Sequence, residues 1–258
     1  MALPLRAIGT QLRHWRQRRR LSQLDLAGDA EISARHLSFL ENGRSQPSRE
    51  MILRLAERLE IPIRERNLLL VAGGFAPVFP ERPISDPALA AASNAITLTL
   101  EAHKPYPAFA LDRQWRIVGS NGALPQIFEG VAEELLAAPI NAMRISLHPR
   151  GLAPRIANLA EWRAHLLHRL HRQIELTADP ALVELERELL TYPAPAEPGD
   201  HRVEQPLVPL QIEVRGQLLC LFSTTMVFGT AADITLAELA LEFYFPADER
   251  TDRLIRNM

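Results

Sequence analysis

The stretch SQLDLAGDAEISARHLSFLENGRSQPS, residues 22–48, decides how the first part of this chain folds. It holds two helix openings in succession. Ser22 with Asp25 three residues on is a capping box, in which each side chain accepts from the other's backbone N–H. Ser33 is the N-cap of a second helix that runs through Leu37 and Leu40 to a stop at Asn42-Gly43. In that helix Leu37 and Leu40 point one way. Ala34, Arg35, Ser38 and Phe39, at i, i+1, i+4 and i+5, share the other face. An Arg, a Ser and a Phe together suit a major groove better than bulk water, since Arg bonds bidentately to guanine and Phe packs on a thymine methyl.

Upstream, Ile8, Leu12 and Trp15 recur at i, i+4 and i+7, the stripe of a bracing helix. Arg16, Arg18, Arg19 and Arg20 follow, the last three as phosphate contacts. Downstream, Ser48 caps a fourth helix with Ile52, Leu55, Ala56 and Leu59 inward. A fifth spans about 63–72 and ends at Gly73-Gly74. A brace, a short helix, a turn and a recognition helix in this order make a helix-turn-helix. The reading is an all-α DNA-binding domain over 1–75. Pro77, Pro80, Pro83 and Pro87 then mark a stiff linker over 76–86.

Charge supports the division. Residues 1–80 hold 13 Arg against 8 Asp and Glu, a balance of +5, and residues 81–258 hold 16 Lys and Arg against 23 Asp and Glu, a balance of −7. A basic head on an acidic body points to a polyanion partner for the head alone.

Beyond the linker the pattern becomes α+β. Asp86 opens a helix, with Pro87 at its first position, that runs to about Ala102 and is placed to carry a signal between domains. Ala108–Leu111 and Trp115–Ser120 flank a polar turn at Asp112–Gln114 and read as a hairpin. Asn121 caps a short helix with Leu124, Ile127 and Phe128. A long helix is expected from Gly151, with Leu152, Ile156, Leu159, Trp162, Leu166, Leu170 and Ile174 inward. Asp179-Pro180 starts another, and Pro193, Pro195 and Pro198 form a loop. Leu207–Val214 and Gln217–Phe228 make a second hairpin, Leu239–Phe245 a last strand, and the tail from Asp248 a short helix.

Ser22-Gln23, Leu26-Ala27, Ile32-Ser33, Leu37-Ser38, Leu40-Glu41-Asn42-Gly43 and Pro47-Ser48 together resemble the Xre/Cro helix-turn-helix family. The resemblance implies that Gln23 touches backbone or a base edge and that Arg44 and Ser45 meet phosphates. The DNA-contact set is then Gln23, Ser33, Ala34, Arg35, Ser38, Phe39, Arg44 and Ser45. The family usually has Gly in the turn where this chain has Glu31; a left-handed Glu31 costs about 1–2 kcal/mol. Arg35–Glu41, Arg64–Leu70, the hairpin Pro107–Trp115, Phe228-Gly229-Thr230 and Thr235–Leu239 narrow the match to the MmyB-like regulators. The stretch Gly119–Gly122 departs from that family, which often has Trp before the Asn and Arg after it. This resemblance implies a PAS-like ligand-binding domain, an antiparallel sheet with helices, over 87–258. It also implies a small, largely apolar, fatty-acid-like ligand.

The residues themselves indicate an apolar crevice walled by Phe109, Trp115, Ile117, Phe128, Trp162, Leu166, Phe222 and Met226, or simply a core. Ten buried methylenes contribute about 8 kcal/mol gross, and association takes several back, so a micromolar ligand needs no strong polar anchor. If the ligand is an acid, Arg144, His148, Arg155 and Asn158 are expected at its polar end. The ligand set is Phe109, Trp115, Phe128, Arg144, His148, Asn158, Trp162 and Phe222.

Other chemistry is weak. His165, His168 and His171 do not share one helix face and have no ligand partner at metal spacing. The single cysteine, Cys220, lies in an apolar strand as a structural thiol. No cofactor and no enzyme activity are expected, and neither a signal peptide in Met1–Gly9 nor a membrane span. The reading is a cytoplasmic, ligand-responsive regulator that binds double-stranded DNA as a homodimer. Two alternatives stand beside it: a second domain that only dimerises or binds a protein, and an enzyme carrying a DNA-binding head.

Overall fold

A computed structural model describes residues 5–194 and 207–258; the loop expected at Pro193, Pro195 and Pro198 therefore lies largely outside the described residues. The chain divides between Glu81 and Arg82 into two compact units, with the short segments 175–178 and 232–234 grouping with the first. No helix among the described residues is long and apolar enough to cross a membrane.

The first unit is all helical: α1 (Leu5–Arg18), α2 (Gln23–Asp29), α3 (Ala34–Glu41), α4 (Arg49–Arg58) and α5 (Ile63–Ala72). Each opening follows from a side chain. Ser22 and Asp25 form the reciprocal capping box at 3.1 Å each way. Ser33 Oγ accepts the His36 N–H at 3.1 Å and Ser48 Oγ the Met51 N–H at 3.2 Å. Glu31, in the turn between α2 and α3, is left-handed at φ +56°. Ile8, Leu12, Trp15, Leu26, Leu37, Leu40, Ile52, Leu55 and Leu69 close the core. The brace needs Gly9, because a Cβ there would lie 2.4 Å from the Leu40 carbonyl oxygen. The Pro-rich stretch begins folded back on α5: Asn67 Nδ2 donates to the Phe79 carbonyl at 2.7 Å and its Oδ1 accepts from Val78 and Phe79 N–H.

One ion pair ties α1, α2 and α3 together. The Glu41 side chain has no exposed surface, and Arg16 meets it through Nε at 2.7 Å and Nη2 at 2.9 Å. Gln23 Nε2 donates to the same carboxylate at 2.7 Å and Arg13 Nε at 3.4 Å. Burial alone would push Glu41 up, but the hydrogen bonds from Arg16 and Gln23 and the Arg16 charge hold its carboxyl below the usual value.

The second unit is α+β. Its elements are α6 (Ala90–Ala102), β1 (Ala108–Leu111), β2 (Ile117–Ser120), α7 (Leu124–Ile127), α8 (Glu133–Leu136), α9 (Ala142–Leu147), α10 (Leu159–Thr177), α11 (Pro180–Leu190), β3 (Leu210–Val214), β4 (Gln217–Val227), α12 (Ile234–Ala237), β5 (Ala240–Pro246) and α13 (Glu249–Arg256). The strands form one antiparallel sheet in the order β2-β1-β5-β4-β3, so the last strand lies in the middle. Both central residues of the β3–β4 turn, Arg215 and Gly216, have positive φ, the twist that a two-residue hairpin requires. In the β1–β2 turn Asp112 Oδ1 accepts from Gln114 and Arg116 N–H. Trp115 there is left-handed at φ +64°, and β2 starts at Ile117 rather than Trp115. On one sheet face Ile96 and Leu100 of α6 pack against Ala108, Ala110, Leu241 and Phe243. On the other face lies the larger core, which takes in Phe109, Leu111, Trp162, Leu166, Ile212 and Leu221.

Two further expected boundaries move, and one expected cap has a wider role. The long helix starts at Leu159, not after Gly151, because Pro154 sits in a single 3-10 turn and Ile156 is extended, bridging Ile212. Asn158 then accepts the first helical N–H, from Trp162. The strand expected from Leu207 begins at Leu210. Asn121 accepts from Ala123 N–H beside α7, but its amide chiefly braces the sheet, bonding the Leu100 and Tyr106 carbonyls and the Ala108 N–H.

Replacing Glu41 by Ala leaves Arg16 buried without its partner, and urea unfolding should show a loss of about 3–5 kcal/mol. Because Glu41 titrates below its unfolded value, its contribution is full above the ordinary carboxylate range and fades as pH falls through the depressed folded value. Wild type should therefore lose stability in acid more steeply than Glu41→Gln; parallel pH profiles would refute this.

Candidate DNA-contact face and ligand cavity

The α3 face forms from local chemistry. Arg35 is exposed, and its guanidinium lies over the Phe39 ring, 5.4 Å from the centroid. A cation over a ring at the surface contributes about 0.5–1 kcal/mol, so the two side chains stand as one preassembled unit. Ala34, Ser38 and Phe39 are half-buried beside it. Asn42 Nδ2 donates to Ser38 Oγ at 3.3 Å, and Arg13 Nη2 holds Asn42 Oδ1 at 2.5 Å. The N–H groups of Arg44 and Ser45 both donate to the Phe39 carbonyl, at 2.8 and 3.3 Å, so the chain turns tightly at the end of α3. Ser33 begins the helix and Gln23 reaches it through Glu41.

Arg19 has another role than the phosphate contact expected of it. Its guanidinium donates to the Leu59 carbonyl at 2.8 Å and the Glu60 carbonyl at 3.0 Å, closing the C-terminal end of α4. Those carbonyls have no helical partner, and a cation is favoured there.

In the second unit, a cavity of about 50 Å³ lies between the sheet and α7, α9 and α10. Phe109, Trp115, Phe128 and Trp162, expected from the sequence, line it together with Ile117, Met143, Ile145, Ser146, Leu166 and Leu210. Trp162 Nε1 donates to Ser146 Oγ at 3.0 Å. An open groove of about 360 Å³ adjoins the cavity and shares Ile117, Leu124 and Phe128 with it. A dry cavity of about 150 Å³ takes one benzene, so a long alkyl chain fits only if that shared wall moves.

Four expected ligand residues lie elsewhere. Phe222 stacks on Phe245 at 5.3 Å on the opposite sheet face. Alternation along β4 requires it: Leu219 and Leu221 belong to the cavity-side core, so Phe222 points away, as does exposed Met226. Arg144 makes a bidentate pair with Glu188 at 2.6 Å on both arms. His148 accepts the Arg150 N–H and meets the Tyr192 ring edge-on. Asn158 links the start of α10 to β3, donating to the Pro209 carbonyl and accepting from Gln211 N–H. Arg155, weighed with them, donates to the Ile127 carbonyl.

The polar side of the cavity consists instead of Arg169 on α10 with Glu242 and Tyr244 on β5. Arg169 Nη1 lies 2.5 Å from Glu242 Oε1, and its Cζ lies 4.9 Å from the Trp115 ring centroid. Burial opposes the Arg169 charge, but hydrogen bonds to Glu242 and the charge of that carboxylate more than offset it. Burial, then the Glu242 charge, pushes the Tyr244 hydroxyl far up. The sequence signal was a lone carboxylate in the otherwise apolar and aromatic run Ala240-Leu241-Glu242-Phe243-Tyr244-Phe245. The Cys220 thiol is pushed up by burial and by Asp248. Among the described residues, no three His, Cys, Asp or Glu are grouped to hold a metal.

Residues 92–258 match the model of the MmyB-like transcription regulator ligand binding domain, and residues 7–69 match a helix-turn-helix domain model. Among solved structures, the clp gene regulator ClgR from C. glutamicum is similar at 26% identity, over 29% of this chain and 92% of that one, with a TM-score of 0.25. The restriction-modification controller protein C.AhdI from Aeromonas hydrophila is 34% identical over 24% of this chain and 94% of its own, with a TM-score of 0.23. The PAS domain of BvgS from Bordetella pertussis is 16% identical over 64% and 92%, with a TM-score of 0.29. No curated protein matches the chain.

Leu166→Ala removes a cavity wall and should lower stability by about 2–5 kcal/mol. Benzene should then raise the melting temperature of the variant more than that of wild type. Equal shifts would mean that Leu166 does not border the cavity.

Proposed function

The chain belongs to the MmyB-like transcription regulators, and we propose that it binds operator DNA through α3 and responds to a small apolar ligand held between its sheet and α10. The family model over the second unit supports ligand binding, and the helix-turn-helix model over the first supports DNA binding. The observation that carries the DNA reading is the Arg35–Phe39 pair on a recognition helix whose inner face is locked by Glu41. Arg35 reads a guanine and Phe39 a neighbouring thymine methyl. Gln23, Ser33, Arg44 and Ser45 hold backbone or a base edge, with Ala34 and Ser38 against the groove floor. One α3 reads only a few base pairs, so the working form is a homodimer with half-sites about 34–36 Å apart. Such a regulator works in the cytoplasm, with a DNA-binding domain over 1–75, a linker over 76–86 and a ligand domain over 87–258.

The ligand is an alkyl-chain molecule of fatty-acid-like body. The cavity walls support this, and its small volume assigns α7 a part in entry: displacing Leu124 and Phe128 joins the cavity to the groove. β1 and β5 line the cavity on one face and carry α6 on the other. A ligand that shifts those strands therefore acts directly on the helix that follows the linker.

After selection of a binding site from random DNA, Arg35→Ala should lose about 1–3 kcal/mol and relax preference at one position, while Arg44→Ala should weaken all sequences alike and lower the salt slope by about 1. Unchanged sequence preference in Arg35→Ala would remove it as a reader. Solvent extraction and mass spectrometry of the purified full chain should recover a stoichiometric alkyl compound. A protein that is empty and stays dimeric would favour a second unit that serves only to dimerise.

A further inference from the structure

Glu242 occupies the middle of the central strand, 2% exposed, with its side chain on the cavity face. A carboxylate in that position needs a full set of partners, and it has them. Oε1 accepts from Arg169 Nη1 at 2.5 Å and from Ser223 Oγ at 3.4 Å. Oε2 accepts from Thr225 Oγ1 at 2.7 Å and from Arg169 Nη2 at 3.2 Å. Thr225 lies directly across from Glu242 in the β4–β5 register, and Ser223 across from Tyr244. Arg169 Nη2 also donates to Thr225 Oγ1 at 3.2 Å. Every other described residue lining the cavity is uncharged.

The polar end of the cavity is thus neutral in sum. A ligand carboxylate entering it would compete with Glu242 for Arg169 and leave one negative charge buried without a counterion, which strongly disfavours it. A neutral head meets no such penalty. An alcohol, ester or amide oxygen can accept from guanidinium N–H groups not engaged with Glu242 or Thr225, or from the Tyr244 hydroxyl. Resting on the ligand-sensing reading above, we infer that the cavity selects an amphiphile with an uncharged, hydrogen-bonding head. Glu242 sets that choice by neutralising Arg169. The ligand shares a fatty acid's alkyl body and not its charge.

Calorimetric titration of the full chain with octan-1-ol and with octanoate at neutral pH tests this. Octanol should bind at least about tenfold more tightly, a difference of about 1.4 kcal/mol. Glu242→Gln keeps the size of the side chain and leaves the Arg169 charge unbalanced, so octanoate should gain about tenfold or more while octanol changes little. If that variant fails to fold, the wild-type ratio decides alone. Tighter binding of octanoate by wild type, binding of neither probe, or a folded Glu242→Gln with the wild-type ratio would each overturn the inference. Recovery of a bound alkyl compound from the native protein would still uphold the ligand-sensor reading, so the two fail separately.

Discussion

A carboxylate without water must find a cation, and Glu41 meets that constraint in a way that shapes the whole first unit. Its side chain is fully covered, so Arg16 of α1 has to reach it and Gln23 of α2 has to share it. Three helices are thereby fixed against one another around a single buried carboxylate. The close approach of Gly9 to the Leu40 carbonyl sets the distance, and the ion pair sets the angle. The exposed face of α3 inherits its orientation from both. A recognition helix held only by apolar contacts could roll on its core. One held by a bidentate pair at its own last residue cannot roll without leaving a buried charge unpaired.

The same constraint recurs in the second unit with a different result. Glu242 is placed at the sheet centre by a strand that enters between β1 and β4, and Arg169 reaches it from α10. The Glu41 pair lies in a filled core and serves geometry. The Glu242 pair borders a cavity, so its atoms remain available to whatever enters. Burial, Arg169 over Trp115 and the Thr225 hydroxyl make this pair costly to separate and sensitive to added charge.

How far the sequence could be read depended on range. Caps, turns and helix faces are decided by residues three or four apart, and Ser22, Asp25, Ser33, Ser48, Asp179 and Asp248 announce their elements without knowledge of the rest. The positive φ at Arg215-Gly216 and at Glu31 belongs to the same class. Strand faces were harder. Leu218–Phe222 is apolar throughout, so nothing local says which of Leu221 and Phe222 meets the cavity; pairing of β4 with β5 decides it. The partners of Arg144 and Arg169 lie 44 and 73 residues away. Nothing local to either Arg names its partner. Arg144 is tied to Glu188 outside the cavity and Arg169 to Glu242 inside it, so the charged end of the site was legible only once the strand order was known.

Cavity size connects these observations to the response. A space of about 50 Å³ is too small for an alkyl chain, while the adjoining groove is large and open. What divides them is α7, a helix of only four residues, together with Phe128 at its end. So short a helix has little hydrogen bonding of its own to lose, and Leu124 and Phe128 are the side chains whose displacement would merge the two spaces. The wall opposite is the central sheet, where movement would break ladder hydrogen bonds and disturb the Glu242 network. Ligand entry should therefore be absorbed on the α7 side. Ile96 and Leu100 of α6 pack on the back of that sheet, so in the proposed response α6 moves only as far as β1 and β5 shift together as a unit.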